Sequence, residues 1–135
     1  MRIGNFKSGR VLVVVDKPDN ELIILQQPIS NQHEVILRKI VEEVGVDLYV
    51  SSVLKCGCDK IKSEHAQKCC ENLKQEIELS RPLGIVVCGK EPQKWFKRFC
   101  TEKYIELPSL HILLAGKTGI QRMKKTLRVI KGVYG

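Results

Sequence analysis

Apolar residues fall in short unbroken runs, separated by stretches where they recur every three or four positions. Val11-Leu12-Val13-Val14-Val15 and Ile85-Val86-Val87 are β-branched runs too short for helices, and they read as strands buried on both faces. Leu48-Tyr49-Val50-Ser51-Ser52-Val53-Leu54 reads as another strand and Leu110-His111-Ile112-Leu113-Leu114 as the fourth. Leu22-Ile23-Ile24-Leu25 fits a short edge strand or part of a long loop. The residues from Glu34 to Val44 predict a helix with Val35, Ile36, Ile40, Val41 and Val44 on one broad apolar face. Ser30 or Asn31 can cap its start, and Gly45 ends it. A second helix is expected from Ser63 to about Ser80, with Ala66, Cys69 or Cys70, Leu73 and Ile77 inward and Leu79 among its last apolar contacts. Pro82 disfavours helix at the residue before it, so this helix stops by Arg81. Pro92 to Phe99 predicts a short helix burying Trp95, Phe96 and Phe99. The last helix follows Gly116-Lys117-Thr118-Gly119 and packs through Ile120, Met123, Leu127, Val129 and Ile130.

Strands alternating with helices call for a parallel sheet covered by helices on both faces. The 135 residues suit a single domain spanning 1–135. No window approaches the length of a membrane span, and Met1-Arg2-Ile3-Gly4-Asn5-Phe6-Lys7 lacks the apolar core of a signal peptide. An intracellular, cytoplasmic protein without a membrane partner is therefore expected.

Charge changes the picture. The formal net charge is +8, and Lys117 to Gly135 holds six basic residues and no acidic one. Such a balance fits phosphate-backbone binding, with simple solubility as the plainer reading. Arg122, Lys124, Lys125, Arg128 and Lys131 would form a basic ridge, and the amides at the helix start beside Lys117 and Thr118 could hold a phosphate. Gly116-Lys117-Thr118 resembles the end of a P-loop, but His111 stands where the first glycine belongs, which excludes nucleotide hydrolysis by that motif.

The unit Leu48–Cys56, then a helix carrying Cys69, then Gln75-Glu76-Ile77-Glu78-Leu79-Ser80-Arg81-Pro82 and Ile85-Val86-Val87-Cys88-Gly89, resembles the uracil-DNA glycosylase superfamily. It is most similar to the family 4 enzymes, which carry an iron–sulfur cluster, and the likeness runs over roughly residues 11 to 90 and more weakly beyond. The resemblance implies a three-layer α/β/α fold around a four-stranded parallel sheet, with the site at the carboxyl ends of the strands. It implies DNA as partner and, in an active enzyme, extrusion of a uracil and cleavage of its glycosidic bond.

The implied functional positions are altered. Gly-Glu-Ala-Pro-Gly is replaced by Val15-Asp16-Lys17-Pro18-Asp19, so Asp16 stands where an acidic residue positions water and Pro18 is kept without its glycines. The phenylalanine that stacks on the base becomes Ile29, and the asparagine that reads its edge becomes Ser52. A His-Pro-Ser segment should follow the fourth strand. With that strand at 110–114, the place falls on Ala115-Gly116-Lys117-Thr118-Gly119, and His111 lies at the strand's beginning, too early to substitute. Lys17 and Lys55 join the basic ridge as candidate DNA contacts.

Cys56 and Cys69 match two of the four family cluster ligands, while residues 1–55 contain no cysteine. Cys58 and Cys70 are the available replacements, for zinc or an iron–sulfur cluster. Adjacent Cys69 and Cys70 point roughly 100° apart on a helix, so double ligation is awkward, and the expectation is no cofactor, with reduced thiols. The favoured functional expectation is a DNA-binding, catalytically altered protein of replication or repair, on a viral or mobile-element scale. An active base glycosylase using Asp16, and a protein-interaction module without DNA contact, are the alternatives.

Overall fold

The computed structural model describes residues 2–4, 10–15, 29–52 and 63–134. The elements in chain order are β1 (Arg2–Ile3), β2 (Arg10–Val15), α1 (Asn31–Val44), β3 (Asp47–Ser52), α2 (Ser63–Ser80), β4 (Gly84–Cys88), α3 (Lys90–Phe99), β5 (Ile105–Leu107), α4 (Leu110–Leu113) and α5 (Lys117–Tyr134). One sheet runs in the order β1-β3-β2-β4-β5. The four strands β3, β2, β4 and β5 are parallel, and the two-residue β1 adds an antiparallel edge beside β3. This is the three-layer α/β arrangement expected from alternating strands and helices, with β2 and β4 at its centre.

Alternation along β2 divides the core. Val11, Val13 and Val15 face α1, α4 and α5, where they meet Leu37, Ile40, Leu113, Met123 and Leu127. Leu12 and Val14 face α2 and α3, where they meet Cys70, Leu73, Trp95 and Phe96. Both faces are apolar, which is why the run is continuous rather than alternating. No described helix is long and apolar enough to cross a membrane.

The helix ends follow their local chemistry. Ser30 caps α1 by accepting the His33 N–H, and Gly45 closes it in the left-handed conformation while donating to the Val41 carbonyl. At the end of α2, Arg81 takes the same conformation at φ 45° and donates to the Ile77 carbonyl. The α1 core face is Leu37, Ile40, Val41 and Val44, spaced i, i+3, i+4 and i+7. Val35, expected inward, is off that stripe and 54% exposed. Leu79 and Val129, also expected to pack, are exposed for the same reason of helical phase.

The fourth strand is the main correction. It is Ile105–Leu107, and the apolar run at 110–114, expected as a strand, begins with the short helix α4. The Ser109 carbonyl accepts from the amides of Ile112 and Leu113, and Leu110, Leu113 and Leu114 turn inward at helical spacing while Ile112 faces out. Pro108, with no N–H, cannot extend the ladder past Leu107. Gly119 then lets the first turn of α5 lie against the end of α4, because a Cβ there would overlap the Leu113 carbonyl. Gly119→Ala is expected to lower stability by about 1–3 kcal/mol through this backbone overlap, read as a drop in the thermal unfolding midpoint.

Candidate nucleic-acid site at the strand ends

The register aligns the carboxyl ends of the parallel strands. Val15 pairs with Ser52, Val14 with Val87, and Cys88 with Leu107. The chain leaves β4 through Gly89 at φ 100°, whose N–H donates to the Leu107 carbonyl. The Gln93 side-chain amide donates to both the Val87 and Leu107 carbonyls, at 3.1 and 2.9 Å. Gln93 thus ties the ends of β4 and β5 where the ladder stops.

An open depression of about 670 Å³ lies at this end, lined by Gly89, Lys90, Glu91, Gln93, Glu106, Leu107, Pro108, Ser109, Ile112 and Arg122, so two cations and two carboxylates share it. A second one, of about 400 Å³, lies at the opposite pole, lined by Ile77, Leu83, Tyr104 and Ile130. The first is the candidate site, because open parallel sheets gather ligands where strands end and helices begin. Beneath the same edge, the Ser51 hydroxyl donates to the Glu76 carboxylate at 2.6 Å, joining β3 to α2.

The structure brings part of the expected site together. Ser52 ends β3 beside Val15, though its side chain is outside what the structure describes. Asp16, Lys17, Pro18, Lys55, Cys56 and Cys58 lie outside the described residues, as does the expected edge segment at 22–25. Ile29 is packed into the core, 3% exposed. His111, too early for a role if its run were a strand, comes after β5 on α4, exposed at the carboxyl side of the sheet. It lies close enough to α1 to act on His33: burial, and then the His111 charge, lower the His33 pKa from 6.5.

The basic ridge divides in two. Lys124 bonds Glu43 at 2.5 Å, and Arg128 reaches the same carboxylate at 3.5 Å. Lys131 donates to the Val44 carbonyl, at the carbonyl-rich end of α1. These three cations fasten α5 to α1. Lys117, Thr118, Arg122 and Lys125 remain exposed, and Arg122 reaches the depression. The hydrogen bond from Lys124 holds the Glu43 carboxyl below its ordinary range, against an opposing effect of burial, with the Lys124 and Arg128 charges adding to it.

Cys70 sits in the core between α2 and α3. It is fully buried, its thiol lies 3.9 Å from the Trp95 carbonyl, and its hydrogen bond with Cys100 lowers the Cys100 pKa against the opposing effect of burial. The Cys69 side chain is outside what the structure describes. Among the described residues, no group of three or more His, Cys, Asp or Glu could hold a metal ion.

The sheet order defines an open α/β domain with a depression at the strand carboxyl ends. A family model described as the uracil DNA glycosylase superfamily matches residues 3–131, and the chain belongs to that superfamily. No curated protein matches it. The His-Pro-Ser position, expected at 115–119, moves with the corrected strand: β5 ends at Leu107, and Pro108-Ser109 follow. A Pro-Ser dipeptide therefore does follow the fourth strand, with Leu107 directly before it. The dipeptide itself is the available signal, hidden because a stronger apolar run lies just beyond it.

Two outcomes check this geometry. Lys124→Met should lower the unfolding midpoint clearly more than Lys125→Met, since only Lys124 is bonded to α1. The Lys124–Glu43 contribution should be complete above the ordinary carboxylate pKa and fade as pH falls through the lowered value. By nuclear magnetic resonance, His33 should titrate below 6.5, and His111→Asn should move it upward. Because the fold favours neutral His33, its effect on stability is absent above the ordinary histidine pKa. Stability declines as pH falls from there through the lowered value.

Proposed function

We propose that this protein binds DNA through a glycosylase-type scaffold whose base-cleaving groups have been replaced, and that it works in DNA replication or repair. The observation that carries the reading is the end of β5. Leu107 stands where the histidine that stabilises the leaving anion belongs, and it is 4% exposed. Its side chain has no polar group, and loss of one such stabiliser commonly costs about 10²–10³ in rate. The burial of Ile29 in the core supports the same reading, since an aliphatic side chain packed there offers no ring for stacking. The exposed cations Lys117, Arg122 and Lys125 supply the charge that a phosphate backbone requires. Lys17 and Lys55 are further candidate contacts.

The reading routes no step through a metal. Zinc or an iron–sulfur cluster would draw on Cys56, Cys58, Cys69 and Cys70. A second reading, an active base glycosylase with Asp16 positioning water, is favoured by one observation: His111 follows β5 on α4 and is exposed at the carboxyl side of the sheet.

Incubation with a labelled uracil-containing single strand, followed by alkali, separates these readings. The expected result is an intact strand together with a gel shift that fades with salt. Cleavage that disappears in Asp16→Ala and His111→Ala would instead establish the second reading. Absence of both cleavage and shift would leave a protein-interaction module.

A further inference from the structure

The α3 helix carries a cationic face that the sequence pattern alone shows only as the back of a core helix. Its inner side is Pro92, Trp95 and Phe96, all buried. Its outer side is Lys90, Lys94, Lys97 and Arg98, all exposed, with Glu91 as the one carboxylate. Glu91 accepts the Trp95 indole N–H at 2.8 Å. The Trp95 and Phe99 rings stack at 6.0 Å, Lys94 lies 4.7 Å from the Trp95 centroid, and Arg98 lies 5.2 Å from that of Phe99. The rings thus hold two cations in place by attraction to their faces. The α5 cations Lys124 and Arg128 share the single Glu43 carboxylate, whereas no ion pair joins the α3 cations to a carboxylate among the described residues.

We propose that the outer face of α3 is a nucleic-acid backbone surface, continuous with the depression at the strand ends and facing Arg122 across it. The proposal rests on the DNA-binding reading above and names the surface that performs it. Helix α3 begins immediately after Gly89, so Lys90 lies on the rim of the depression and the stripe leads away from it. From Lys90 to Arg98 the helix rises roughly 12 Å. One strand of DNA carries a phosphate about every 3.4 Å along the axis, so this stripe meets about three or four of them. The matching chemistry is a regular polyanion. A membrane surface would need an apolar face to bury, and that of α3 is already used against the sheet.

The test is fluorescence anisotropy of a labelled, uracil-free oligodeoxynucleotide, single-stranded and duplex, across a salt series. The wild type is compared with Lys90→Gln/Lys94→Gln/Lys97→Gln and with Arg122→Gln/Lys125→Gln. The α3 variant is expected to bind at least about tenfold more weakly, with a salt slope shallower by about 0.9 for each phosphate no longer neutralised. Lys97→Gln alone guards against a folding defect, because Lys97 makes no hydrogen bond, ion pair or ring contact among the described residues. It should make the slope shallower by about 0.9 with an unchanged circular dichroism spectrum. Wild-type affinity and slope in the α3 variants, with binding abolished only in Arg122→Gln/Lys125→Gln, would overturn the α3 surface and leave the DNA-binding reading intact. No salt-dependent binding by the wild type would overturn both, as would binding to acidic vesicles alone.

Discussion

The burial of β2 on both faces is the constraint that the rest of the structure obeys. Val11, Leu12, Val13 and Val14 are fully inaccessible, and the strand pairs with β3 on one side and β4 on the other. A strand in that position supplies no surface of its own, so helices must cover it from both directions. Parallel pairing also forces every crossover to return to the same end of the sheet. The consequence is that the carboxyl ends of β2, β3, β4 and β5 all lie along one edge.

Electrostatics then sorts the cations by task. On α5, the side of the helix that meets α1 commits Lys124, Arg128 and Lys131 to Glu43 and the Val44 carbonyl. These interactions hold the outer helices together over one face of the core. Arg122 points the other way, toward the strand ends. On α3 the aromatic residues that anchor the helix to the sheet also support its outward cations. The exposed cationic surface is thus wider than the C-terminal helix and differs from it in composition.

At the candidate site the strand ends are held by main-chain carbonyls. Gly89 and Gln93 hold the ends of β4 and β5 together through the Leu107 carbonyl, which any side chain at position 107 would offer. The chain belongs to the uracil DNA glycosylase superfamily, and the side chain at 107 is apolar and buried. Fold and chemistry are specified separately, one in main-chain hydrogen bonds and the other in a few side chains.

The buried central strands, the four long helices and the basic C-terminal segment can all be read from the chain, because periodicity and composition act locally. Val11–Val15 and Ile85–Val87 are too short and too β-branched for anything but buried strands, and Gly45 and Pro82 stop helices by their own covalent geometry. The fourth strand cannot be read in this way. Ile105 and Glu106 are exposed at the sheet edge and give no apolar period, whereas 110–114 is apolar enough to suit either a strand or a helix. Only packing against α5, with Pro108 ending the ladder, decides between them. The same holds for the cations: the sequence counts Lys124 and Lys125 alike, and the neighbouring helix alone determines which one meets a carboxylate.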